Sequence, residues 1–155
     1  EKNYSLSNIS VKTNNSIFFS VDTNFNHNNW GEDNFIDLIN ILRNKYPNFL
    51  IYINVAPHNK KYFKRLIKCF FKSKNIYFTD NYSFDKIIKL ISQCSFMIGN
   101  ESGPACIAAL LKKKTFSFID RNTTYQSSKT IYNKVKFFPK NISVFEFIDC
   151  IKKSI

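Results

Sequence analysis

Six short apolar runs, Ile17–Val21, Phe49–Val55, Asn75–Phe78, Ser95–Ile98, Thr115–Ile119 and Val135–Phe138, alternate with stretches of a different period. In those stretches apolar residues recur every three or four positions. Phe35, Leu38, Ile39, Leu42 and Tyr46 form one such stripe, with Glu32 and Asp33 suited to its N-terminal end and Pro47 closing it. Phe63, Leu66, Ile67 and Phe70 form a second. Ser83 is an expected N-cap, with Asp85 in the first turn, for a third helix carrying Phe84, Ile87, Ile88 and Ile91. Pro104–Leu111 reads as a small-residue helix, and Val144, Phe147, Ile148 and Ile151 as a last one capped by Ser143 or Asn141. A continuous apolar run of strand length suits a strand buried on both faces, and a 3.6-residue period suits an amphipathic helix. Strands and helices in alternation make βαβ units, whose crossovers give a mostly parallel sheet covered on both sides. The expected fold is therefore α/β: one Rossmann-like domain with about six strands, over residues 15–155, preceded by a polar, aperiodic lead-in or linker over residues 1–14.

Size and composition agree with one such domain. The chain has 155 residues, 44% of them apolar and 17% aromatic, enough to fill a core and too many for a disordered segment. No stretch nears the ~18 apolar residues that a membrane span needs, and the first ten residues lack the apolar block of a secretory signal. Cys69, Cys94, Cys106 and Cys150 are far apart, without metal or redox spacing. Three of them fall in apolar helical patterns, where a reduced thiol is expected to act as a small hydrophobe. A soluble cytoplasmic globule is expected. The chain starts with Glu1 rather than Met, which suggests a fragment, a processed product or a trimmed chain.

The net charge of +12 invites a nucleic-acid reading. The same chain, however, holds 20 Lys, 20 Asn, 20 Ile and 17 Phe against 3 Arg and 3 Gly. Those are the products of A/T-rich codons, so much of the lysine follows from base composition. Arg, the residue of bidentate phosphate and base contacts, is scarce. Solvated lysine faces are the expectation and nucleic acid is not an expected partner, although a basic face still attracts anionic head groups or phosphorylated substrates.

In an open parallel sheet, ligands bind beyond the carboxyl ends of the strands. The sharpest loop there is Gly99-Asn100-Glu101-Ser102-Gly103-Pro104-Ala105-Cys106. Gly103 permits close backbone approach, Pro104 suits a first helical turn, and Ser102 can cap that helix or donate to a phosphate oxygen. Free N–H groups and the helix dipole then make an anion site. A plain strand–turn–helix junction with a capping serine fits the same residues.

The run CSFMIGNESGPACIAALLKKKTFSFID resembles the signature of glycosyltransferase family 9, the ADP-heptose:lipopolysaccharide heptosyltransferases, with their Asp-Ser/Thr-Gly-x-x-His stretch after a buried strand. NNWGEDNFIDLINIL is similar to the family's Lys-x-Trp-Pro-x-x-x-Phe block, and YSFDKIIKLISQCSFMI to its Ser-Leu-x-Glu-x-x-x-Leu-Ile helix and following strand. The resemblance implies the C-terminal, donor-binding half of a GT-B enzyme. It puts Ser102 and Gly103 at the donor diphosphate, Glu101 where the family has aspartate, and Cys106 where it has histidine. Thr23 falls near the family's hydroxyl residues. Asn28 replaces a lysine that neutralises the donor phosphates, and adjacent His27 either substitutes for it or is merely solvated. His58 falls near where the family has a carboxylate for the donor, or in a plain loop, and Trp30 reads as a packing anchor rather than a sugar platform.

The resemblance further implies a metal-independent, inverting glycosyltransferase that needs no cofactor beyond its nucleotide-sugar substrate; no Asp-x-Asp motif occurs. Its catalytic base and acceptor site would come from an N-terminal half, so no catalytic residue is identified here. The implied partners are a nucleotide sugar, a lipid-linked saccharide acceptor, that N-terminal half and an anionic membrane surface at the inner face of a bacterial inner membrane. The product would be lipopolysaccharide or another surface glycan. The changes at positions 28 and 106 leave a second reading open, a degenerate, non-catalytic binding or scaffold domain.

Overall fold

A computed structural model describes residues 15–23, 29–120 and 132–153. The expected lead-in, His27, Asn28 and most of the loop before the last strand lie outside the described residues. Six parallel strands form a single sheet in the order β3-β2-β1-β4-β5-β6: β1 (Ser16–Ser20), β2 (Leu50–Asn54), β3 (Ile76–Phe78), β4 (Phe96–Asn100), β5 (Thr115–Ile119) and β6 (Val135–Pro139). All five pairings are parallel, in register from Ile17 opposite Ile51 and Phe96 to Thr115 opposite Val135.

The helices are α1 (Glu32–Lys45), α2 (Lys64–Phe70), α3 (Phe84–Gln93), α4 (Gly103–Leu110) and α5 (Val144–Ile151), with a short 3₁₀ stretch, Pro57–Tyr62, ahead of α2. Alternate strand residues point to opposite faces, and two cores follow. Ile17, Phe19, Ile51, Ile53, Phe96, Ile98, Phe116 and Phe118 meet α1, α2 and α5 on one side. Phe18, Tyr52 and Met97 meet α3 and α4 on the other. The alanines Ala105, Ala108 and Ala109 are all buried, which lets α4 lie close to the sheet.

Local chemistry fixes the ends of the helices. Ser83 caps α3 by accepting from the Lys86 N–H, and Ser143, not Asn141, caps α5 in a capping box with Glu146. Leu66 of α2 donates its N–H to the Glu32 carboxylate at 2.8 Å, so the first residue of α1 satisfies the N-terminal turn of α2. Trp30 is 3% exposed. It stacks on Phe118 with centroids 4.0 Å apart, meets Phe35 edge-on, and donates from Nε1 to the Ile142 carbonyl at 2.8 Å. It is a packing anchor, as expected from its position.

The cysteine expectation holds only in part. Cys94 is buried, but Cys69 and Cys150 are exposed and Cys106 is half-buried. Cys69 and Cys150 fall between the buried residues of α2 and α5 in the helical period, on the outward faces.

Candidate functional site

The sheet reverses direction of growth between β1 and β4, the two central strands, so the loops leaving them diverge and open a crevice at their carboxyl ends. Asp22, Thr23, Asn54, Ala56, His58, Glu101, Ser102, Gly103, Pro104 and Cys106 line a cavity of about 320 Å³ there. Six of the positions singled out from sequence, Thr23, His58, Glu101, Ser102, Gly103 and Cys106, thus come together from three loops. Asn28 and His27 belong to the same β1–α1 connection but lie outside the described residues.

Two glycines exchange the roles expected for one. Gly103 was expected to allow close backbone approach, yet a Cβ there would meet nothing within 4 Å. The close approach occurs at Gly99, which pairs with Ser20 across the β1–β4 ladder. A Cβ at Gly99 would lie 2.3 Å from the Ser20 carbonyl oxygen. Gly99 thereby sets the spacing of the two strands under the crevice, and Gly103 leaves its mouth open.

Ser102 occupies the N-cap position of α4 but makes no side-chain cap. Its Oγ lies 2.9 Å from Ser20 Oγ, joining the ends of β1 and β4. The serine pair takes the hydroxyl that a cap would use, so the first turn of α4 keeps N–H groups and the positive end of its dipole toward the crevice.

Asn100 was expected at the mouth and is instead fully buried beneath it. Its Nδ2 donates to the Val21 carbonyl at 2.6 Å and to Asn29 Oδ1 at 3.1 Å, while its Oδ1 accepts from the Trp30 N–H at 2.9 Å. One side chain therefore holds both ends of the connection that carries Thr23. On the opposite wall Asp22, 5% exposed, accepts from the Ala56 N–H at 2.6 Å and from Asn59 Nδ2 at 3.3 Å. Asn54 accepts from Thr79 Oγ1 at 3.0 Å.

Sequence reasoning missed Asp22 and Asn54, and it set Asn100 at the mouth rather than beneath it. Their one signal was position, since each is a polar residue where a buried apolar run ends. No lysine or arginine is among the described residues lining the cavity, which instead holds two carboxylates, Asp22 and Glu101. No group of three metal-ligating side chains occurs among the described residues.

Solved structures of known proteins share the fold of this chain. Among solved structures, E. coli ADP-heptose lps heptosyltransferase II superposes with a TM-score of 0.76 at 11% identity, covering 92% of this chain and 47% of its own. E. coli heptosyltransferase WaaC with ADP-2-deoxy-2-fluoro heptose gives 0.74 at 16% identity, covering 97% and 46%. UDP-GlcNAc 2-epimerase from Neisseria meningitidis bound to UDP-GlcNAc gives 0.70 at 20%, covering 90% and 36%. The chain thus spans less than half of each neighbour. No curated protein sequence matches it. The profile of glycosyltransferase family 9 (heptosyltransferase) matches residues 1–137, most of the length, and the chain belongs to that family.

Proposed function

We propose that this chain is the donor-binding half of an inverting glycosyltransferase, and that the β1–β4 crevice holds the diphosphate of a nucleotide sugar. The observation that carries the reading is the convergence of Thr23, Ser102, Gly103 and the open first turn of α4 on one crevice at the strand-order switch. Backbone N–H groups at a helix start, already oriented, suit a diphosphate leaving group and need no metal. Glu101, as an acceptor, suits hydroxyls of the sugar or ribose better than phosphate. Two neighbours, WaaC with ADP and the N. meningitidis epimerase bound to UDP-GlcNAc, hold nucleotide ligands on the same fold. The proposal extends to a lipid-linked saccharide acceptor, surface-glycan synthesis such as that of lipopolysaccharide, and a place at the cytoplasmic face of a bacterial inner membrane. No helix among the described residues is long and apolar enough to cross a membrane. The catalytic base and acceptor pocket are assigned to an N-terminal half.

Calorimetry with ADP, UDP and their sugars tests the reading. Binding at micromolar to sub-millimolar concentration supports it, and no binding at several millimolar refutes it. One observation favours the rival, a non-catalytic module: Cys106, where the family has histidine, lines the crevice and supplies no charged donor. Under that rival, Cys106→His with Asn28→Lys creates affinity where the unaltered chain has none.

A further inference from the structure

A second surface lies outside the crevice, along α2. Lys60, Lys61, Lys64, Lys68 and Lys72 line a broad, open depression of about 810 Å³ together with Ile67, Cys69, Phe71 and Ser73, and no carboxylate lines it. Lys64, Lys68 and Lys72 follow one another at four-residue spacing, which places them on one face of the helix and its extension. Lys60 pairs with Asp80, but Lys61, Lys64, Lys68 and Lys72 have no ion pair among the described residues. Like charges at this spacing destabilise a helix in water, and an anionic surface reverses that effect.

The base composition of the chain explains the number of lysines but not their partners. Of the exposed aromatic side chains nearby, Phe71 lines the depression, Tyr62 lies under the Lys61 ammonium at 4.9 Å, and Tyr77 lines a neighbouring depression at the β3 edge. Phe71 is 70% exposed, Tyr62 61% and Tyr77 45%. Phe71 also borders that neighbouring depression, of about 400 Å³, formed with Val55, Ile76, Phe78 and Tyr82. An exposed apolar ring loses free energy in water, and it gains most by entering the boundary between head groups and acyl chains. Lysines beside it would meet the lipid phosphates.

We propose that this face of α2 docks on a bilayer of anionic phospholipid, with Phe71 inserted and the lysine stripe against the head groups. The surface begins one helical turn from the crevice, because Ala56 and His58 line the crevice while Lys60 and Lys61 line the depression. Docking would hold the donor site beside the membrane. The inference deepens the reading of a membrane-borne acceptor and rests on it for its purpose.

The test is co-sedimentation of the 155-residue chain with phosphatidylglycerol–phosphatidylcholine vesicles and with phosphatidylcholine alone, at 0.1 and 0.5 M salt, beside ADP calorimetry. Preference for the anionic vesicles is expected. A lysine near such a surface is worth about a fivefold factor in partitioning, so Lys64→Ser, Lys68→Ser and Lys72→Ser together should cost roughly a hundredfold. Phe71→Ser should cost tenfold or more at both salt concentrations. Nucleotide affinity should stay within a few fold in both variants, which also shows that they are folded. Equal binding to both vesicle types, or variants that bind vesicles like the unaltered chain, overturns the proposal. So does tighter binding to DNA or heparin than to anionic vesicles. If vesicle binding passes while ADP binds nowhere, the donor reading fails and the surface stands.

Discussion

Two glycines four residues apart should respond oppositely to an added side chain. At Gly99, a single methyl group would sit 2.3 Å from the Ser20 carbonyl oxygen and 2.9 Å from the Ser20 Cβ, where ordinary contact begins at 3.4 Å. The shortfall of about 1 Å falls on backbone, in the ladder between the two central strands, which cannot yield as a flexible side chain would. Overpacking a core typically costs about 1–3 kcal/mol, and opening the end of the ladder forfeits about 1 kcal/mol per hydrogen bond. Gly99→Ala should thus lose roughly 3–5 kcal/mol from a total of about 5–15, lowering the Tm by about 10 °C. At Gly103 a Cβ meets nothing within 4 Å, and Gly103→Val should leave stability within about 1 kcal/mol. Its branched side chain, however, would fill the crevice mouth and reduce ADP affinity more than tenfold. Urea titration and calorimetry on both variants read the contrast. Unchanged stability in Gly99→Ala, or unchanged ADP affinity in Gly103→Val, would refute the corresponding half of the argument.

Asn100→Ala should cost about 2–4 kcal/mol in thermal unfolding, because it leaves the Trp30 N–H and Val21 carbonyl buried without their partner; ADP affinity should fall as well. Trp30→Ala should cost about 3–5 kcal/mol, through loss of the ring cluster around Phe118. Burial pushes the Cys94 thiol up to about 11 from 9.0, so the native state holds its proton at pH values where the unfolded chain releases it. That contribution is present below pH 9 and is lost as pH rises toward 11, by about 2–3 kcal/mol. The stability difference between Cys94→Ala and the unaltered chain should shrink accordingly over that range. At pH 8 an aromatic disulfide reagent should titrate exposed Cys69 and Cys150 quickly and leave buried Cys94 unmodified until the protein unfolds.

The alternation of periods made the six strands and five helices legible, and for β5 even the bounds coincide with the apolar run. Strand and helix identity are local properties, set within a window of about ten residues by side-chain polarity. The candidate site was legible where a resemblance or a helix start marked it, hence Glu101 to Cys106. What stayed hidden depends on pairings between distant parts of the chain. Gly99 looks like any turn glycine until its register opposite Ser20 is known. Asn100 looks like a loop residue until Trp30 and Val21 arrive at its amide from 70 and 79 residues away. The outward faces of Cys69 and Cys150 turn on a helical phase that a short apolar pattern does not fix.

The order of the strands also bears on how the chain leaves the ribosome. β1 is made before the other five strands and lies at the centre, flanked by β2 and β4. β2 follows soon, but 79 residues separate Val21 from Asn100 at the end of β4. At about 5–20 residues per second, one side of an apolar central strand stays unpaired for roughly 4–16 s of each synthesis. An open strand edge of Ile17, Phe18 and Phe19 is a template for pairing with a neighbouring nascent chain. The half-made protein is therefore most exposed to aggregation through the strand that becomes its best-protected element, and slow translation or crowding on one message should lower yield more than destabilising the finished fold.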